Sequence, residues 1–351
     1  MASGWSVNMA DVARHLGVST ATVSRALRGE PGVSAETRDR IRKVADELGY
    51  VVSPEASGLA RGATGRVGIV LPRLDLWFYG CLVAGIEESL RSAGLDCLIY
   101  CLDSADQRRS FAAELPLRRK VDAVIAVAFP SSDIAWNRLD NMHIPVVTVA
   151  TRVDRHPYVG IDDELVGRQA ARHLVRLGHC RIGMIRGLDP DGIHWQSDDD
   201  RARGFLDELA SAGVEDPARF IVSETSGIDG GTLAMESLLG ASELPTAIFC
   251  TSDEPAIGAQ RVLRRAGILV PQSISLIGVD DQPIAEAADL TTIAQPVIEQ
   301  GRTAGRLTAD LISGATAVPM RTLLPTRLVV RGSAVSPPPA DGLRVTSPHT
   351  P

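Results

Sequence analysis

Between Asn8 and Tyr50 apolar residues recur every three or four positions, and glycine and serine punctuate the run where long loops would otherwise stand. That spacing puts one apolar stripe on each of three short helices. Asn8, with Asp11 three residues on, suits the start of the first helix; Val12, Ala13 and Leu16 form its inner face and Gly17 ends it. Ser19 suits the cap of the second, which turns Val23 and Leu27 inward. Ser34 suits the cap of a third, carrying Ile41, Val44, Ala45 and Leu48. Residues 51–64, VVSPEASGLARGAT, break the pattern with small residues, one Pro and two Gly, and read as a linker with weak helical potential.

From Arg66 the period changes. VGIVLP, LDCLIYC, VDAVIAVAF, PVVTVA, RIGMIRG, RFIVSE, TAIFCTSD and SISLIGVDD are short apolar runs, mostly separated by longer amphipathic stretches such as LVGRQAARHLVRLG and EPAIGAQRVLRRAG. The rhythm predicts an α/β region of parallel sheets built from right-handed β-α-β units. The end of the chain, SAVSPPPADGLRVTSPHTP, is proline-rich and polar and predicts a disordered tail over 333–351. The organisation expected is therefore a helical domain at 1–50, a linker at 51–64, an α/β domain at 65–332 and the tail.

Composition narrows the function. With 351 residues, 44% hydrophobic and 23% charged, the chain is an ordinary globular sequence. No apolar run approaches the roughly 18 to 20 residues of a membrane span, and the first residues lack the layout of a secretion signal, so the expected location is the cytoplasm, with no membrane partner. The five cysteines are scattered without a Cys-x-x-Cys pair and the histidines lack metal spacing, so neither a metal nor a cofactor is expected. No Gly-x-Gly-x-x-Gly follows a strand, and there is no P-loop lysine or Gly-x-Ser-x-Gly elbow, which argues against an enzyme. A formal net charge of −7 argues against nucleic acid at first sight. Residues 1–62 differ: they hold eight Lys/Arg against seven Asp/Glu. Any DNA contact must then rest on where the arginines sit.

The stretch DVARHLGVSTATVSRALRG gives that placement. Two helices joined by a three-residue turn form a helix-turn-helix unit, whose second helix offers its N-terminal residues to the major groove. Its free N–H groups and positive pole suit phosphates. Ser19, Thr20 and Thr22 add small hydroxyl donors, and Thr20 and Ala21 stand where base edges would be met. Arg25 can reach a guanine edge or a phosphate, and Arg28 and Arg14 a phosphate.

From DVARHLGVSTATVSRALRGEPGVSAETRDRIRKVADELGY onward the chain resembles the lactose-repressor (LacI/GalR) family of transcriptional regulators. LVRLGHCRIGMIRG, DDDRARGF, FCTSDEPAIGAQRVLRRAGILVPQSISLIGVDD and DLTTIAQP stand in family order, so the resemblance covers about 1–332. It implies a three-helix headpiece followed by a two-subdomain, doubly wound sensor of the periplasmic-binding-protein type. It also implies that Ser53–Arg61 folds into a hinge helix on DNA, with Leu59 as the apolar wedge in the minor groove and Ala56 at the contact between paired hinges. The sequence departs from the usual pattern at Val52-Ser53-Pro54, at Gly58, which weakens a helix by up to about 1 kcal/mol against Ala, and at Arg28, where asparagine is common.

A two-subdomain sensor takes its ligand in a cleft at the carboxyl ends of the strands. Trp77 and Phe78, with Tyr79 beside them, follow the first strand on what reads as a loop. Since aromatic residues are only 4% of the chain, three together suggest a ligand-facing role. By the resemblance, Asp280 points into the cleft and Arg201 is the effector-binding arginine, while Gln295 lies on a crossing segment between subdomains. Asp281 reads as structural. Asp253 is a further candidate, with helix capping as its alternative, and Trp195 and His194 could close over the ligand. These readings imply a nucleoid-associated repressor of carbohydrate-utilisation genes, a homodimer or tetramer on palindromic double-stranded DNA, controlled by a small effector such as a sugar. A nucleobase or nucleoside co-repressor, and a solute-binding protein for transport, are the alternatives.

Overall fold

The computed structural model describes residues 7–50, 63–129, 133–189, 191–192 and 195–338, apart from the side chains of Arg28, Asp133 and Ile134. The chain divides into two compact units at Gly65. In the first, α1 (Met9–Leu16), α2 (Thr20–Arg28) and α3 (Ala35–Glu47) follow the expected pattern. Asn8 and Asp11 form a reciprocal capping box, Ser19 and Ser34 accept from the backbone of Thr22 and Thr37, and Gly17 closes α1 at φ 65°. Val12, Ala13, Val23, Ala26, Ile41, Val44 and Ala45 make the core, with Leu16, Leu27 and Leu48 packed on its edge. The hinge residues Ser53, Ala56, Gly58 and Leu59 lie outside the described residues.

In the second unit, β1 (Arg66–Leu71), α4 (Trp77–Ser92), β2 (Asp96–Cys101), α5 (Ala105–Glu114), β3 (Ala123–Val127), α6 (Asp133–Asp140), β4 (Val146–Val149) and β5 (Tyr158–Gly160) form a first subdomain. The chain crosses, and α7 (Asp163–Arg176), β6 (Ile182–Leu188), α8 (Gln196–Ser211), β7 (Ile221–Thr225), α9 (Ile228–Leu239), β8 (Ala247–Cys250), α10 (Asp253–Arg265), β9 (Ser275–Asp280), α11 (Pro283–Ala287) and β10 (Thr291–Ala294) form a second. It then returns as α12 (Val297–Ile312) and β11 (Arg321–Leu323), and crosses once more into β12 (Arg327–Val329).

The two sheets run β11-β5-β4-β3-β1-β2 and β12-β10-β9-β8-β6-β7. Every pairing is parallel except β12 on β10. Each sheet carries apolar packing on both faces: α4 and α12 against Phe111 and Trp136 on the opposite side of the first, α7 and α8 against α9 and α10 around the second. This is the two-subdomain α/β architecture the alternating pattern and the resemblance predict. The return of α12 is locked by backbone contact: a Cβ at Gly85 would stand 2.1 Å from the Ile298 carbonyl oxygen, and one at Gly301 2.2 Å from that of Leu82.

Two expectations change. Trp77 and Phe78 are not on a loop; they open α4, because Tyr79, Leu82, Ile86 and Leu90 bury one helical face from the first turn. The segment that follows residue 332 packs on the second sheet rather than standing free. Ser333 bonds both neighbouring strands, accepting from Thr291 N (2.8 Å) and donating to Leu276 O (2.7 Å), and His179 Nε2 contacts Val335 O at 2.8 Å. Among the described residues no helix is long and apolar enough to cross a membrane.

Candidate functional site

On α2 the buried residues are Val23 and Ala26, and the opposite side is open. Ser19, Thr20, Ala21 and Arg25 are exposed, and Thr22 is partly so. Ser19 Oγ accepts from Thr22 N at 3.1 Å and lies 2.9 Å from Thr22 Oγ1, so these hydroxyls shape the helix start while Thr20 and Ala21 stand clear of it. Among the described residues Arg25 is held only by a 3.4 Å contact from Nε to Ala21 O, which leaves most of its guanidinium donors for a partner. Arg28 belongs to α2, but its side chain is outside the described residues. Arg14 is exposed and paired with Asp11 at 2.9 Å.

A cleft open to solvent lies between the two subdomains. Of the sequence candidates, Phe78, Trp195, Arg201 and Asp280 line it together. Arg201 stands in the second turn of α8, which begins at Gln196. It is buried, giving Nε to Asp163 Oδ1 (2.9 Å) and one Nη to Thr251 O (2.6 Å). Trp195 is the residue before α8 and packs on the apolar core of the opposite subdomain, against which Trp77 and Phe78 also pack. Asp280 ends β9 at φ 115°, a conformation that L-residues rarely adopt and that is common in functional sites. Its oxygens accept from Gln295 Nε2 (2.5 Å) and Gln282 Nε2 (3.0 Å). Gln295 in turn accepts from Gln300 on α12, so the crossing segment between β10 and α12 is wired directly to Asp280.

Two candidates fall elsewhere. Asp253 is fully buried behind the cleft and accepts from Gln282 N (2.8 Å) and Thr292 Oγ1 (2.6 Å); it joins α10 to β10 and neither lines the cleft nor caps its helix. Trp77 faces a neighbouring groove with Asp281, Pro296 and Arg327. Asp281 is structural, paired with Arg331 at 2.6 Å. His194 is outside the described residues.

The structure adds residues that the sequence did not single out: Tyr158, Asp163, Arg186, Asp198, Glu254 and Gln300. Asp162 caps α7 through Leu165 N at 3.0 Å, which frees Asp163 to turn inward. Burial pushes Asp163 up to about 6, against the pull of Arg201. Asp280 is likewise raised by burial, opposed by Arg201 and the two amides. Burial also raises Glu254. Ion pairs also clasp the two subdomains together. Arg108 on α5 bonds Asp189 (2.8 Å) and Asp191 (2.7 Å), and Arg152 bonds Asp200 at 2.5 Å.

Residues 8–53 match the bacterial regulatory proteins of the lacI family, and residues 171–334 a periplasmic binding protein-like domain. The chain is 31% identical over 334 residues to the transcriptional repressor CytR of Escherichia coli K12, covering 93% of this chain and 95% of that one. The chain belongs to the LacI family. It is a DNA-binding transcriptional regulator under effector control, and the lacI-type headpiece sets aside the transport reading. Two solved structures place this LacI-family chain in context. The Lac repressor dimer bound to operator and the anti-inducer ONPF superposes with TM-score 0.83 at 25% identity, over 94% of this chain and all of that one. The CelR–cellobiose complex superposes with TM-score 0.70 at 30% identity, over 93% and 100%.

Proposed function

We propose that the chain acts as a homodimer that represses carbohydrate-utilisation genes from a twofold-symmetric operator and answers to a small sugar in the cleft. One headpiece reads few base pairs, whereas two related by a dyad match a palindrome. Ser19, Thr20, Ala21, Thr22, Arg25 and Arg28 would meet the DNA, with Leu59 as the minor-groove wedge. Phe78 and Trp195 offer flat apolar faces to the C–H surface of a sugar ring, and Asp280 and Arg201 offer an acceptor and a fork for its hydroxyls. The cellobiose held by the CelR relative supports a sugar.

The observation that carries the reading is the convergence of Asp280, Arg201, Phe78 and Trp195 on one cleft that the Gln295 crossing segment ties to α12. A ligand bridging the walls would change the angle between subdomains and so the spacing of the two linkers, which switches operator affinity. A thermal-shift screen of neutral mono- and disaccharides tests it, since a ligand bound to the native state raises the melting temperature. A hit that also changes operator binding supports the proposal. A hit whose effect survives Asp280→Ala moves the site elsewhere.

A further inference from the structure

The cleft wall carries an unbalanced charge. Four carboxylates, Asp163, Asp198, Glu254 and Asp280, face two guanidiniums, Arg186 and Arg201, and no lysine lines it among the described residues. Both guanidiniums are already engaged. Arg201 holds Asp163, and Arg186 holds Asp198 at 2.7 Å and Asp199 at 2.5 Å. Glu254 and Asp280 form no ion pair among the described residues: Asp280 accepts only amides, and Glu254 accepts only the backbone N–H of Trp77, at 3.4 Å.

Helix N-termini are the usual places for an anion in such a cleft. Here the start of α4 has no cap of its own, and the oxygen it receives is Glu254 Oε1, reaching from the other subdomain. The glycine-rich turn opening α9 could pass for a phosphate cradle, but its glycines serve packing. A Cβ at Gly230 would stand 1.5 Å from Thr225 O, and one at Gly231 2.2 Å from Pro255 O.

We propose that the cleft admits uncharged, hydroxyl-rich ligands and rejects anions, and that Glu254 is the residue that sets this selection. The inference rests on the reading of the cleft as the effector site. A phosphorylated sugar would bring its negative charge beside a partly buried carboxylate that forms no ion pair among the described residues, where like charges repel more strongly than in open water. The raised carboxyls of Glu254 and Asp280 show that this wall already resists the negative charge it holds.

The test is calorimetric titration of the full chain with matched pairs: ribose against ribose 5-phosphate, glucose against glucose 6-phosphate, and cellobiose against its 6′-phosphate. In wild type a neutral member should bind and its phosphorylated counterpart bind at least tenfold more weakly. Glu254→Gln keeps an acceptor for Trp77 N but loses the charge, so the gap should shrink at least threefold, with the fold confirmed by circular dichroism. Salt should narrow the wild-type gap more than the variant's. A phosphorylated sugar that binds wild type as tightly as its neutral partner overturns the inference alone, and so does an undiminished gap in the variant. If no member of any pair binds, the sugar reading falls and takes the inference with it.

Discussion

Arg108 and Arg109 are neighbours on α5 that each pair with an aspartate, in opposite surroundings. The Arg109–Asp106 side chains are 71% and 85% exposed, whereas those of Arg108 and Asp189 are 10% and 0%. Arg108 joins the two subdomains; Arg109 pairs within its own helix. Removing one partner of a buried pair costs about 3 to 5 kcal/mol, because the remaining charge loses its compensation. Asp189 would still accept from Asp191 N at 2.9 Å, and Arg108 has a buried Nη1 with no hydrogen-bond partner among the described residues, so the lower figure applies. A loss of about 3 kcal/mol shifts the separation of the two subdomains toward the open form about a hundredfold. The Ala105 amide reports on it, since it donates to Asp191 of the other subdomain. Hydrogen exchange at Ala105 should accelerate about a hundredfold in Arg108→Ala and less than about fivefold in Arg109→Ala, the range of an exposed pair. Equal protection loss in the two variants would refute the clasp.

Arg25→Ala should abolish specific operator binding in a gel shift while leaving the headpiece folded, because the side chain is exposed and off the core; unfolding on circular dichroism would contradict this. Leu59→Ala should weaken specific binding far more than non-specific binding, measured with operator and random duplexes at one salt concentration. Arg201→Ala should give an operator binder whose reporter output no longer answers to effector, and a melting temperature lowered by the unpaired Asp163 left in the interior. Burial and the adjacent Asp280 raise Asp253 above the ordinary carboxylate value of 3.8, so its contribution to stability is full below that value and is lost as pH rises through the raised one. In Asp253→Asn the amide can accept from Gln282 N and donate to Thr292 Oγ1, so the fall of melting temperature with rising pH should flatten; an unchanged slope would assign it to other groups.

The headpiece was legible almost residue by residue, because caps and apolar spacing are local signals: Asn8, Ser19, Ser34 and Gly17 all stand where chemistry puts them. Strand–helix alternation likewise revealed the sheets. The strands β5, β10, β11 and β12 escaped, since three or four residues carry no periodicity and their pairing is decided by the distant strands they meet. Within the cleft, Arg201 and Asp280 were found through resemblance, whereas Asp163 and Glu254 were not. Each stands next to another acidic residue, Asp162 and Asp253, and which of two adjacent carboxylates faces inward depends on the helix start and on packing. The clasp of Arg108 with Asp189 was hidden for a further reason: it joins residues 81 positions apart in different subdomains.

The most direct measurement is selection of duplexes from a random pool by the purified full-length chain, followed by titration of the enriched sequence with and without a neutral sugar that binds the cleft. The account predicts enrichment of a site with twofold symmetry, bound tightly at moderate salt, whose affinity shifts by at least fivefold when the sugar is added. Recovery of no preferred sequence, or of a symmetric site whose affinity ignores every ligand that binds the cleft, would contradict it.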